Sequence, residues 1–457
     1  MTPKETVDQV VNSQHAFFDS DATKDPLFRK EQLKKLLQAL KSNEAEILDA
    51  LHADLGKSNA ESYMTEVAMA KEEIETQIKH VEEWSRPKNV PANLVTMPSR
   101  STVYYEPFGT VLIIVPWNYP INLSLTPLAG AMAAGNTVVM KCSRNNRHLW
   151  PVLQKILNHT FASEYVYAVD ADSDYDTVLL QKYDYIFFTG GPSVGKTIMK
   201  AAAENLTPVS LELGGKSPCF VDEKANLKIA AKRITWGKFM NAGQTCISID
   251  YVLVQNSVKA AFIAEMKKAI DERYSHALDS DRYPCIISDK EYNRLIGLLK
   301  SETTIIGGGC DAAKRKIEPT LLPETTYDSS VMQEEIFGPI LPIIGYEDLD
   351  ETLHDLKKKP RPLACYVFTE DNAVAQKVIH SLLFGGGCVN DVMMHISNNN
   401  LPFGGVGNSG MGAYHGAYSF QTFSHMKGIV SSSTSIDVPL RYAPYDEKKY
   451  ALLKKII

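Results

Sequence analysis

Along the first 85 residues or so, apolar positions recur every three or four residues. Leu33, Leu36, Leu37 and Leu40 form one stripe, and Ile47, Leu48, Leu51 and Leu55 form the next. That spacing predicts amphipathic helices. The segment Glu61–Trp84 continues in the same style and stops short of Pro87, a residue that cannot continue a helix. From Val103 the texture changes. Short β-rich runs bounded by Gly or Pro (TVLIIVP, NTVVMK, DYIFFTGG, SPCFV, YVLVQ, TTIIGGG, ILPIIGY, ACYVFT, GGCVN) alternate with longer helical stretches. The alternation predicts α/β domains built on mainly parallel sheets. No internal repeat or low-complexity linker marks a domain border.

The length of 457 residues suggests two or three domains. Apolar residues make up 44% and charged residues 22%, which excludes a disordered or fibrous chain. The net charge is −6 and no long Lys/Arg run occurs, so nucleic acid is not an expected partner. No apolar run approaches the roughly 20 residues of a membrane span. The tail KKYALLKKII is basic and apolar, and reads as a helix end rather than a membrane-surface element.

Seven cysteines are present, and the closest two lie 23 residues apart, so there is no CxxC pair for a metal or a redox couple. The N-terminal stretch MTPKETVDQVVNSQHAFF lacks the apolar core of a secretion signal. Reduced thiols in a cytoplasm are the expectation.

Glycines cluster at Gly190–Gly191, Gly214–Gly215, Gly307–Gly309, Gly385–Gly387 and across GGVGNSGMG. Clusters mark tight turns or backbone lying against a ligand. In YIFFTGGPSVGKT, residues Gly190, Gly195, Lys196 and Thr197 match GxxxxGK[ST] between a strand-like and a helix-like run. That is the setting of a phosphate-binding P-loop and of an NTPase. The competing reading is the βα turn of a dinucleotide fold, its helix N-terminus aimed at a pyrophosphate.

Among the cysteines only Cys246, in Asn-Ala-Gly-Gln-Thr-Cys, sits in a glycine-flanked polar turn. The other six stand in or beside apolar or turn runs, where an inert buried thiol is expected. A reactive thiol needs a lowered pKa or a nearby base. Glu212, between leucines and just ahead of a glycine pair, is a candidate base, with a capping or ion-paired carboxylate as the alternative. Asn118, in Pro-Trp-Asn-Tyr-Pro at the end of TVLIIV, places an amide at a sheet edge where it could hold an oxyanion or simply make an Asx-turn.

VLIIVPWNYP, FTGG with VGK, LELGGKSP, NAGQTC, MQEEIFGP and LPFGGVGNSGMGAYHG follow one another over positions 111 to 416, about two-thirds of the chain. Together they resemble the aldehyde dehydrogenase superfamily, and the ending GNSGMGAYHG…SFQTFSHMK is similar to its class 3 branch of fatty and aromatic aldehyde dehydrogenases. The resemblance implies oxidation of an aldehyde to a carboxylate with NAD or NADP and no metal. Cys246 would be the nucleophile, Asn118 and the Cys246 N–H the oxyanion hole, and Glu212 the base for deacylation. Lys141 would meet the adenosine ribose, and Gly190, Gly191 and Gly195 the pyrophosphate. Glu335 and Phe337 would hold the nicotinamide ribose and ring, with Trp117 nearby. Tyr119 and His415 resemble substrate-pocket residues. The implied fold is a Rossmann-like cofactor domain (1–84 and 105–211), an α/β catalytic domain (212–396) and a bridging β arm with a C-terminal segment (85–104 and 397–440). That arm would pair two subunits into a homodimer. Cofactor-independent esterase chemistry on the same fold is the runner-up.

Some cofactor positions depart from the family pattern. Lys-Pro-Ser-Glu becomes Lys141-Cys-Ser-Arg144, which removes a ribose-binding carboxylate and adds a cation suited to a 2′-phosphate. Asp170 and Asp172 replace a common Gly-Gly pair, and Gly191 stands where Ser is usual.

Overall fold

The structure is a computed structural model that describes residues 3–456. It opens with helices α1 (Pro3–Asp19), α2 (Pro26–Ser42), α3 (Glu44–Leu55), α4 (Asn59–Ser62), a π-helical turn (Tyr63–Val67) and α5 (Ala68–Trp84). The Asp25 carboxylate caps α2 by accepting from the Leu27 N–H, ahead of Pro26 in the first turn. The stripe residues Leu33, Leu36, Leu40, Ile47, Leu51 and Leu55 are all buried. Hydrophobic spacing, more than helix propensity, therefore fixes how these helices sit on the rest of the chain.

A three-stranded arm follows. Strands β1 (Lys88–Val90), β2 (Ser99–Pro107) and β17 (Ser424–Ser432) pair antiparallel, with Ser424 opposite Pro107 and Ser432 opposite Ser99. The first large sheet contains β3 (Thr110–Val115), β4 (Thr137–Cys142), β5 (Val166–Ala168), β6 (Tyr185–Thr189) and β7 (Val209–Glu212). These five run parallel in the order β7-β6-β3-β4-β5, and the short β16 (Gly410–Met411) adds an antiparallel edge beside β7. Every residue of β3, β4 and β6 is buried, which is why these strands read as unbroken apolar runs. The chain leaves β3 toward β4 and β5 on one side and returns to β6 and β7 on the other. The carboxyl ends of β3 and β6 thus flank a topological switch point, the place where open α/β sheets bind ligands.

The second large sheet is parallel throughout. It contains β8 (Pro218–Val221), β9 (Tyr251–Gln255), β12 (Thr320–Leu322), β13 (Ile340–Tyr346), β14 (Ala364–Phe368) and β15 (Gly386–Val389), in the order β12-β13-β9-β8-β14-β15. A small hairpin joins β10 (Cys310–Asp311) to β11 (Lys316–Ile317).

Two expectations change. TTIIGGG is no strand: it makes one isolated bridge, Ile306 with Leu321, because Gly307 and Gly308 turn the backbone to φ 85° and 92°. The segment 397–440 is not all arm. Gly410–Met411 joins the first sheet, and the helix Ala417–Thr422 lies against α6 (Asn122–Ala134) before β17 enters the arm. Among the described residues no helix is long and apolar enough to cross a membrane.

Candidate active site

The catalytic candidates come from the ends of three separate elements. β3 runs out at Val115 into the turn Pro116–Pro120, and Asn118 lies buried at its centre. The helix α10 (Leu227–Phe239) ends ahead of a tight 3₁₀ turn in which Asn241 and Ala242 take φ 50° and 49°. Gly243 follows at φ 74°, and a Cβ there would strike the Gly338 carbonyl, so only glycine fits. The turn is fixed from several sides. Asn118 Nδ2 donates to the Gln244 carbonyl at 3.1 Å. Asn241 Nδ2 donates to the carbonyls of Asn118 and Gln244, both at 3.1 Å. The Glu61 carboxylate accepts the Asn241 N–H at 2.7 Å, and Gln244 Oε1 accepts the Ile287 N–H at 3.0 Å. Cys246 therefore emerges, half-buried, from a backbone with little freedom, two residues past the carbonyl that engages the Asn118 amide.

Glu212 is the last residue of β7. Its carbonyl accepts the Gly190 N–H at 3.0 Å, while both carboxylate oxygens are buried with no hydrogen-bond partner. Burial alone pushes its pKa well above the ordinary carboxylate range. The Cys246 thiol is pushed up to about 12, first by burial and then by the negative charges of Glu335 and Glu212. All three groups share one electrostatic environment. At neutral pH the thiol rests protonated, and the Glu212 carboxylate holds a proton more readily than an exposed one would.

Glu335 sits close against the backbone of Gly214, where a Cβ would collide with its carboxylate, and it accepts the Gly215 N–H. Burial, and then the charge of Asp250, raises it to about 8. Phe337 holds φ 50° and meets Trp117 edge-on, ring centroids 5.5 Å apart. Tyr119 is buried with its hydroxyl 2.7 Å from Thr245 Oγ1, the residue before the thiol. His415 is buried between Tyr414 and Phe403, ring centroids 4.4 and 5.5 Å away, with neither ring nitrogen partnered. Burial lowers its pKa to about 3, which leaves it neutral.

The cleft beside these groups has a volume of about 910 Å³ and is lined in part by Pro192, Lys196, Leu213, Gly214, Gly215 and Glu335. Gly190 and Gly191 lead into α9 (Pro192–Ala203). Gly191 caps that helix, and a Cβ built on it meets nothing within 4 Å. Gly195 lies inside α9, where a Cβ would come within 2.9 Å of Leu213 Cδ2. An open space in front of a helix N-terminus, with the unpartnered Thr189 hydroxyl beneath it, fits a dinucleotide pyrophosphate. The P-loop alternative fails on the same geometry. Gly195, Lys196 and Thr197 are helical, and the Thr197 hydroxyl donates to the Ser193 carbonyl of its own helix, so no loop is left to wrap a phosphate.

Lys141 and Arg144 lie at the carboxyl end of β4 but outside the lining of the cleft. Lys141 Nζ donates to the carbonyls of Ala171 and Ser173, and Arg144 donates to the Asp172 carbonyl at 3.1 Å. Asp170 is taken up by Gln154 Nε2 at 2.7 Å. Cys142 is buried against Asn146 and is an inert thiol. All seven cysteines are free.

Sequence reading missed a set of charged residues behind the site. Lys57 and Glu66 are fully buried and paired at 2.7 Å, Glu61 holds the thiol turn, and Lys238 is buried, its pKa lowered to about 8 by burial. Each is a lone charge in a helical or loop context, and no spacing rule singles it out.

A half-buried thiol and an unpartnered buried carboxyl near a cleft at the carboxyl end of a parallel sheet suit an oxidoreductase of the α/β class. The chain belongs to the aldehyde dehydrogenase family, whose model matches residues 1–429. It is an NAD(P)-dependent aldehyde dehydrogenase that oxidises an aldehyde to a carboxylate. It is 47% identical to the 4,4'-diaponeurosporen-aldehyde dehydrogenase of Staphylococcus aureus, with 97% of each chain covered. It is 41% identical to the dimeric NADP-preferring aldehyde dehydrogenase of Canis lupus familiaris, over 96% of this chain and 98% of that one. The structure described as the substrate-bound state of Staphylococcus aureus AldH superposes with a TM-score of 0.94 at 46% identity, covering 98% of both chains.

Proposed function

We propose that Cys246, Asn118 and Glu212 carry the reaction. The observation behind this reading is that the Asn118 amide is tied to the thiol turn while Glu212, whose charge acts on Cys246, has no partner of its own. The Cys246 thiol gives its proton to solvent water, and its sulfur attacks the aldehyde carbon. The carbonyl oxygen becomes an oxyanion, stabilised by Asn118 Nδ2 and the Cys246 N–H. The bound nicotinamide supplies the hydride acceptor. With the hydride gone, the carbon remains on sulfur as a thioester. Glu212 then takes a proton from water, the water oxygen attacks the thioester carbon, and carboxylate leaves as the thiol is restored. Glu335, Phe337 and Trp117 flank the nicotinamide end of the cleft, and Gly190, Gly191 and Gly195 its pyrophosphate end. Tyr119 and His415 border the aldehyde. Cys246→Ser should lower aldehyde-dependent NAD(P)H formation by at least about 10³-fold; parent-like turnover would remove the thiol from the mechanism.

Arg144 is assigned to the 2′-phosphate of NADP. It is exposed at the end of β4 beside Lys141, and a relative is described as NADP-preferring. Arg144→Glu should shift the ratio of kcat/KM values toward NAD by about 10-fold. An unchanged ratio would release Arg144 from that role.

The arm is assigned to subunit pairing. Its strands and the turn between them expose Leu94, Val95, Met97, Met426 and Val430, an apolar surface that a second copy would cover. Sedimentation at the monomer mass would refute the homodimer. The seven free thiols suit a reducing cytoplasm, and recovery of the protein from an oxidising compartment would exclude it.

A further inference from the structure

We propose that Lys57 and Glu66 are positioning residues for aldehyde oxidation, acting through the turn that carries Asn118. The inference rests on the oxyanion role given to Asn118 above. Both side chains are 0% exposed, and they grip that turn at two points. Lys57 Nζ donates to the Asn118 carbonyl at 2.7 Å and to Glu66 Oε1 at 2.7 Å. The other oxygen of Glu66 accepts the Ile121 N–H at 2.8 Å. The ammonium also lies 4.0 Å from the centre of the Tyr119 ring, whose hydroxyl reaches Thr245, next to Cys246.

The geometry points past simple core filling. The Asn118 carbonyl has two donors, one from Lys57 and one from Asn241 in the thiol turn. The peptide that carries the oxyanion amide is therefore held between the buried cation and the loop of the nucleophile. Glu66 reaches its place from a π-helical turn, Tyr63–Val67, an irregularity that recurs at functional sites. Catalysis by an amide donor depends on where the donor points. A shift on the order of 1 Å can cost about 10²-fold in rate.

The test uses the full-length enzyme and the double variant K57M/E66Q, which removes both charges of the pair together and leaves Glu61 its Asn241 N–H. The expected result is a kcat for aldehyde oxidation about 10- to 100-fold below the parent. Alkylation of Cys246 by iodoacetamide, which forms no oxyanion, should keep its rate within about twofold. In an Asn118→Ala background the same pair of changes should cost nothing further, since the amide that Lys57 and Glu66 aim is gone while the Cys246 N–H is held by its own turn. A folded double variant with parent-like kcat overturns the proposal, and so does a loss that multiplies fully with that of Asn118→Ala. A matching fall in alkylation rate also overturns it, because that marks general loosening of the site. Glu66→Gln alone keeps an acceptor for the Ile121 N–H and is read by the same criteria, so a misfolded double variant leaves the test standing. If Asn118→Ala by itself has parent-like kcat, the oxyanion reading fails instead, and the two failures stay distinct.

Discussion

Glu212 and Glu66 are both buried carboxylates within the same catalytic region, yet they sit in opposite chemical situations. Glu66 has a cation at 2.7 Å and a backbone N–H at 2.8 Å. Burial pushes its pKa upward, and Lys57 and the N–H groups of Ile121 and Asn122 pull it back. Glu212 has nothing on either oxygen, so burial acts on it unopposed. A carboxyl without partners costs stability, and a fold keeps one where the group must be free to take a proton. A carboxylate with both oxygens engaged holds geometry instead. The difference separates a group that does chemistry from a group that aims one.

Replacing Glu212 by Gln gives the largest expected effect. Steady-state turnover should fall by about 10² to 10⁴, while a first-turnover burst of NAD(P)H survives, because hydride transfer precedes deacylation. Loss of the burst together with turnover would put Glu212 earlier in the reaction and weaken the contrast. Lys57→Met alone strips Glu66 of its cation and should cost about 3–5 kcal/mol in chemical denaturation, with K57M/E66Q recovering most of it. If the single variant is as stable as the parent, Glu66 is not an ion held in place by Lys57.

The smallest effect is on stability against pH. Glu212 has a folded pKa above its unfolded value of about 4.5, so it is protonated in the folded protein and ionised in the unfolded chain between those two values. Its contribution is therefore lost as pH rises from about 4.5 toward the folded pKa. Glu212→Gln should melt higher than the parent, by a margin of a few degrees that grows as pH rises above about 4.5 toward the folded pKa. A margin independent of pH would mean that Glu212 has a partner after all.

Helices with a three-to-four period and strands with unbroken apolar runs were legible in the sequence because burial acts on each element separately. TTIIGGG misled because its apolar residues resemble a strand while Gly307 and Gly308 turn the backbone away from one. GGPSVGKT was ambiguous for the converse reason: a short pattern is shared by a loop and by the first turns of a helix, and the helix Pro192–Ala203 decides between them.

By itself the sequence determined the α/β architecture, the family, and the candidacy of Cys246, Asn118 and Glu212, since local pattern and motif carry that information along the chain. The tertiary structure decided which groups share an electric field. Lys57, Glu61 and Glu66 are more than fifty residues from Asn118, Asn241 and Ile121, the residues they respectively hold. Their roles come from desolvation and distance, which exist only once the helical N-terminus has packed against the ends of β3 and α10.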